Sequence, residues 1–338
     1  MTIKDLAAQT GYSLGTVSRV LNNQPNVSEK ARKTILEAAA RGGFQLNSNA
    51  RQLRQQCSKT ILAVVKGTSN QLFGSLLEAL QIYNADTSYP LIVDYMDEDE
   101  NEVLRAVQLC REKKPLGVLF LGGNRENFLR YFHEIQLPCV LVTNDAEGLG
   151  YPNLSSVTSD DRQIGEIAIR HLVELGHRKI AVIGGDLQVS DITMLRYAGC
   201  EHAFQSCGVP FSVEKDYVTA RFSYGDGYQA VQTLLERGRE FTGLFAMSDV
   251  MAVGAIRALR DNGLRVPEDV SVIGVDGVAI GQYMVPKLAS VYQSVEDLAK
   301  RSLAILLAQI DHHPSVCYET IPVSVIRRES VREIPENT

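Results

Sequence analysis

The sequence predicts a small all-α head joined to a larger α/β body, and three observations carry that prediction. The first sixty residues hold three short stretches with apolar residues at helical spacing. From Ile61 onward, short apolar runs rich in β-branched residues alternate with amphipathic stretches. Charge divides at the same place: residues 1–60 carry nine Lys or Arg against three Asp or Glu, and the remainder carries twenty-five against thirty-seven. The head is therefore +6 and the body −12, within a net charge of −6. A cationic module on an acidic bulk is the footprint expected where one part faces a polyanion, although a merely solvated surface gives the same counts.

The 338 residues leave room for two or three domains and a large core without covalent staples. Hydrophobic residues at 45% and charged residues at 22% are ordinary for a globular chain, and no apolar run approaches the ~18 residues that cross a bilayer. The start MTIKDLAAQ lacks the basic and apolar regions of a secretory signal, so a cytoplasmic protein with no membrane contact is expected. Six scattered cysteines without a CxxC pair, and six dispersed histidines, give neither a disulfide framework nor a metal site.

In the head, Thr2 is placed to cap the first helix and Ser13 to open the second. Ser28 caps a third helix that stops at Gly42 and Gly43. Their apolar stripes are Ile3, Leu6 and Ala7; Val17, Val20 and Leu21; and Ala31, Ile35, Ala38 and Ala39. Only TGYS separates the first two helices, and Gly11 suits the positive φ of a tight helix-to-helix turn. This is helix-turn-helix spacing, which any three-helix bundle shares. The same stretch, GYSLG, satisfies the G-x-S-x-G pattern of hydrolase nucleophiles. That pattern requires a strand before the serine, and here a helical pattern precedes it, so Ser13 is read as a helix cap.

In the body, the runs ILAVV, LIVDY, GVLFLGG, CVLVT, KIAVIGG, DYVTA, GLFAM and VSVIGVD are separated by helical patterns such as RQIGEIAIRHLVELG. Continuous apolar runs between helices imply parallel strands covered on both faces, a doubly wound sheet whose ligands bind beyond the strands' carboxyl ends. No dinucleotide or nucleotide-triphosphate glycine motif follows any run, and no cofactor is expected.

The stretch TIKDLAAQTGYSLGTVSRVLNNQPNVSEKARKTILEAA resembles the N-terminal head of the lactose-repressor family (LacI/GalR) of bacterial transcription regulators. The likeness continues through HLVELGHRKIAVIGG, MLRYAG, the D-x-x-A-x-G of residues 249–254, VPEDVSVIGVD and PVSVIRRES. It implies a helix-turn-helix DNA-binding domain over residues 1–46, a hinge helix and linker over 47–59, and an effector-binding and dimerisation body over 60–338. That body would comprise two parallel-sheet subdomains of the periplasmic-binding-protein type, residues 60–158 with 291–317 and residues 159–290 with 318–332. The crossings between them would fall near Thr158, Ser290 and Cys317. The resemblance also implies a repressor that binds pseudo-palindromic operator DNA as a homodimer, with no enzymatic activity; the end REIPENT carries no tetramerising heptads.

By the same resemblance, a recognition helix over residues 14–22 enters the major groove with Leu14, Gly15 and Arg19 at specificity positions. Arg19 would grip a guanine, or alternatively a phosphate. Ser13, Thr16, Ser18 and Asn22 would hold phosphates, and Thr2 joins the DNA-facing set. Asn47, Ala50 and Leu53 match the family hinge, with Leu53 as a minor-groove wedge or else a plain linker residue. Leu46 replaces the usual proline there, and Gly42, Gly43 and Phe44 replace the usual L-x-Y.

In the cleft, Arg196 and Asp276 match the family's ligand-binding pair, which suits a sugar or sugar derivative because each can bond adjacent hydroxyls. Asn70, Phe73, Thr143, Phe222, Ser248, Asp249 and Gln293 complete the candidate set. Phe73 and Phe222 are equally readable as core, and Asp249 as a helix cap. Ser248 in place of asparagine, Gly277 in place of a second aspartate and Thr143 in place of an acid leave phosphorylated, acidic and nucleobase ligands open. A solute-binding protein of a transport system shares the body but needs no basic head; an α/β hydrolase is the third reading.

Overall fold

A computed structural model of the chain describes residues 3–21, 27–41, 59–67, 69–238, 240–312 and 314–335. Two compact units result, Met1–Ser58 and Lys59–Thr338.

The first unit holds α1 (Ile3–Thr10), α2 (Leu14–Leu21) and α3 (Glu29–Arg41). Gly11 takes φ +71° between α1 and α2, the left-handed turn that glycine adopts without strain. Ser13 and Ser28 each accept a helix N–H three residues on, from Thr16 at 3.2 Å and Ala31 at 3.3 Å. Leu6, Val17, Val20, Ala31, Ile35, Ala38 and Ala39 form one small core. Fully burying an aliphatic side chain such as Leu6 or Ile35 contributes roughly 1.5–3 kcal/mol relative to exposure, enough to hold three short helices together only collectively.

The second unit holds two six-stranded sheets. In the first sheet, β1 (Ile61–Lys66), β2 (Leu91–Met96), β3 (Gly117–Leu121), β4 (Cys139–Val142), β5 (Leu154–Ser159) and β11 (Tyr318–Ile321) run in the order β11-β5-β4-β3-β1-β2, all parallel. The second contains β6 (Ile180–Gly184), β7 (Tyr217–Thr219), β8 (Gly243–Ala246), β9 (Ser271–Asp276), β10 (Ala289–Gln293) and β12 (Val323–Ile326). Its order is β12-β10-β9-β8-β6-β7, with only the β10–β12 pair antiparallel. Each sheet has a buried apolar cluster on either face, which explains why its strands read as continuous apolar runs rather than alternating ones.

The chain passes between the sheets three times. β5 belongs to the first sheet and α7 (Asp161–Glu174) comes at once in the second lobe, close to the expected Thr158. The other two crossings lie later than Ser290 and Cys317. β10 continues to Gln293 on its partners β9 and β12, and Tyr318–Ile321 pairs with β5, so the crossings fall at residues 293–295 and 321–323. The lobe segments 291–317 and 318–332 are corrected accordingly. Apolar runs reveal strands, whereas ladder partners decide which sheet a strand joins.

In the second lobe, α7 touches α8 (Asp191–Ser206) backbone to backbone. A Cβ on Gly165 would sit 1.9 Å from the Arg196 carbonyl, and one on Gly199 would sit 1.9 Å from that of Arg162. These two glycines let Arg196 stand directly beside the start of α7. Among the described residues no helix is long and apolar enough to cross a membrane.

Candidate functional site

A cavity of about 480 Å³ opens between the two lobes of the body. Its wall is built where the strands end: Gly67 after β1, Gly122 and Gly123 after β3, Thr143 and Asn144 after β4, Gly185 and Asp186 after β6, and Asp276 as the last residue of β9. Those are the carboxyl ends of parallel strands, where such sheets bind ligands.

Arg196 and Asp276 meet on the second-lobe wall, both nearly sequestered from solvent. Arg196 Nε donates to Asp161 Oδ1 at 2.8 Å, and its Nη1 donates to the Met247 carbonyl. Burial raises Asp161 to about 6, opposed by the adjacent Arg196. Asp276 has φ +108°, a conformation that side-chain-bearing residues rarely adopt. Its Oδ1 accepts from Gln293 Nε2 at 2.8 Å, and its buried Oδ2 has no partner. Burial raises Asp276 to about 7, with Arg196 and the Gln293 bond pulling the other way. A strained, buried carboxylate with a spare acceptor is costly to the fold, and such features concentrate at binding sites.

On the first-lobe wall, Thr143 also has positive φ, +77°, directly after β4, and its carbonyl accepts from Thr158 at 2.8 Å. Asn70 caps α4 (Gln71–Asn84), its Oδ1 accepting from the Leu72 N–H at 3.0 Å. Phe73, on α4, and Phe222, beyond β7, line the cavity while packing into the lobe cores.

Ser248, Asp249 and Gln293 stand behind the wall rather than on it. Ser248 caps α11 (Asp249–Asp261), accepting from the Met251 N–H at 3.3 Å. Asp249 is fully buried; it accepts from Ser290 Oγ at 2.7 Å and from the Val278 N–H at 2.8 Å. These bonds brace the turn after β9 that carries Asp276. Burial, with the neighbouring Asp276, raises the Asp249 carboxyl. Gln293 orients Asp276 through the bond to Oδ1.

Polar bridges span the cleft. Arg221, beyond β7, pairs with Asp97 at 2.9 Å, with Glu98, and with Asp99 at 3.3 Å, all beyond β2. Gln71 Nε2 donates to the Tyr224 hydroxyl, and the Arg125 N–H donates to Asp191 Oδ2 at 3.0 Å. Sequence reasoning missed this acidic triad and Arg221, as well as Lys66, Asp186 and Asp226 on the cavity wall. The only available signal was the charge run DEDENE placed directly after a predicted strand.

In the head, α2 buries Val17 and Val20 and turns Leu14, Gly15 and Arg19 outward. Ser13 is exposed, whereas Thr16 and Ser18 are half-buried. Leu14 is 47% exposed, an apolar side chain offered to solvent on an otherwise polar face. No strand leads to Ser13, whose Oγ also lies 2.9 Å from that of Thr16. Thr2, Asn22, Asn47, Ala50 and Leu53 lie outside the described residues.

Residues 2–47 match the family described as bacterial regulatory proteins, lacI family, and residues 169–331 match the periplasmic binding protein-like domain. The HTH-type transcriptional regulator MalR of Clostridium butyricum is 30% identical over 335 residues, covering 98% of this chain and 99% of that protein. The chain belongs to the lacI family of bacterial regulatory proteins. This lacI-family chain also superposes on the transcriptional regulator CelR in complex with cellobiose, at 26% identity and TM-score 0.72 over 98% of this chain and 99% of that one. The lac repressor dimer bound to operator and the anti-inducer ONPF shares the fold at 23% identity and TM-score 0.77, covering 98% and 99%. Both family portions are therefore present in one lacI-family chain: a helical head with an outward-facing second helix, and a two-lobed body with a polar cleft.

Proposed function

We propose that this lacI-family protein is a transcription repressor that binds a pseudo-palindromic operator as a homodimer and whose affinity is set by a small effector in the cleft, a sugar or sugar derivative. One observation carries the effector part of this reading: Asp276 offers an unpartnered acceptor and Arg196 a fixed guanidinium on the wall of the same cavity. Of the five guanidinium hydrogens of an arginine, the Asp161 and Met247 bonds use two. A vicinal pair of hydroxyls can donate to the carboxylate and accept from the guanidinium, and Phe73 and Phe222 supply apolar faces for the ring carbons. Residues 70, 143 and 222 would contact the effector directly, and residues 248, 249 and 293 would hold that wall in place.

In the head, Leu14, Gly15 and Arg19 would read base edges, while Ser13, Thr16, Ser18, Asn22 and Thr2 would fix register on phosphates. Asn47, Ala50 and Leu53 would form the hinge, with Leu53 as the wedge. Effector would change the relation of the two lobes and so the spacing of paired hinges; a coupling of about 1–3 kcal/mol changes operator occupancy appreciably. The protein would act in the cytoplasm, on DNA, with no chemical step of its own.

Anisotropy titration of an operator selected from genomic DNA tests the reading. Arg196→Ala or Asp276→Ala should abolish the effector response and leave operator binding intact, whereas an unchanged response would move the site elsewhere. Leu53→Ala should weaken operator binding far more than non-specific binding, and equal loss on both would refute the wedge.

A further inference from the structure

Three cationic side chains line the cavity, and each already has an acid against it. Lys66 Nζ lies 2.6 Å from Glu102 Oε2, which is fully buried beneath it. Arg196 is held by Asp161 in a pair only 5% exposed on either side. Arg221 is different: its side chain is 49% exposed, and its three acids come from the opposite lobe. The same wall also presents Asp186, Asp226 and Asp276. Carboxylates therefore outnumber cations around the ligand space, and among the described residues no cavity cation lacks an acidic partner.

We infer that Asp97, Glu98 and Asp99 determine specificity by excluding anions: they occupy Arg221, so the cleft takes an uncharged or amine-bearing polyol and rejects phosphorylated or carboxylated ones. This rests on the effector reading above and narrows the ligand class that the sequence left open. An entering phosphate has two routes, and both are unfavourable. It can displace the triad from Arg221, leaving three consecutive carboxylates without the arginine they share, or it can take the remaining N–H donors of Arg196, whose charge Asp161 already balances, beside the carboxylates of Asp186 and Asp226. A hydroxyl or ammonium donor meets neither obstacle and satisfies Asp276 Oδ2. Since Arg221 bridges the two lobes, the contact that excludes anions helps to hold them together.

Calorimetric titration of the full chain with inorganic phosphate tests this without knowledge of the effector. The four proteins to compare are the wild type, Arg221→Gln, the combined Asp97→Asn, Glu98→Gln and Asp99→Asn variant, and that variant with Arg221→Gln added. Any phosphate bound by the basic head is common to all four, so the Arg221-dependent part reports the cleft. The triple variant should gain Arg221-dependent phosphate binding at least about tenfold tighter than any in the wild type, as expected for an arginine released to a bidentate phosphate contact. Arg221-dependent phosphate binding already present in the wild type would overturn the inference, and so would a folded triple variant that gains none. Should the triple variant melt early, Glu98→Gln alone should show a smaller gain in the same direction, and no gain there would count equally against it. Operator binding by the wild type is measured alongside; its absence would defeat the regulator reading and leave the charge result standing.

Discussion

Gln293 Nε2 donates to Asp276 Oδ1 at 2.8 Å, and Oδ2 is left buried and without a partner on a residue that lines the cavity. The two residues lie on neighbouring strands, with Tyr292 in register with Asp276. Gln293 thus sets the polarity of the site from behind.

The buried Asp276 makes stability and binding respond oppositely to pH. Burial moves its pKa from 3.8 to about 7, so between those values the folded chain retains a proton that the unfolded chain has released. Its contribution is fully present below about pH 4 and is lost as pH rises to about 7. Asp161, raised by burial to about 6, acts in the same direction over the lower part of that window. Thermal melts of wild type and Asp276→Asn should therefore diverge with pH, the variant gaining relative stability toward pH 7 by at most a few kcal/mol; parallel curves would contradict this. Effector affinity should rise over the same window, because an ionised Oδ2 is the better acceptor.

Gly15 lies in α2, yet an added Cβ would meet nothing nearer than Ser13 Oγ at 3.8 Å. Among the described residues nothing requires glycine there, and glycine within a helix costs roughly 0.5–1 kcal/mol relative to alanine. Gly15→Ala should raise the melting temperature of the head while weakening operator binding about tenfold, the scale of one disrupted base contact. Unchanged operator affinity would remove Gly15 from the DNA-reading face.

Two glycine-to-alanine changes in the body should have opposite signs. Gly165→Ala drives a methyl into the Arg196 carbonyl, separates α7 from α8, and should cost more than about 2 kcal/mol while weakening effector binding through Arg196. Gly74→Ala, on α4 with nothing within 4 Å, should be neutral or slightly stabilising. Chemical denaturation of both variants checks this, and equal effects would argue against the backbone contact.

The parts of the molecule legible in the sequence were those set by local pattern. The helices of the head follow from stripes such as Val17 and Val20, and the strands of the body follow from continuous apolar runs. The cleft pair, Arg196 and Asp276, came from resemblance, and the structure brings both to one wall. What pattern could not supply was which side of a wall a residue occupies: Ser248, Asp249 and Gln293 are polar and adjacent to strand ends, yet their bonds point inward to the turn they brace. Nor could it separate a solvated acidic run from one meeting an arginine across a cleft, because Asp97 and Arg221 are 124 residues apart in the chain.

The most direct measurement is selection of the organism's own genomic fragments by the purified full chain, followed by titration of the enriched duplex across a salt series. The expected result is a twofold-symmetric site bound with steep salt dependence, since head contacts with phosphates release counterions. Absence of preference for any symmetric fragment, or binding that does not weaken as salt rises, would contradict a DNA-reading head under cleft control.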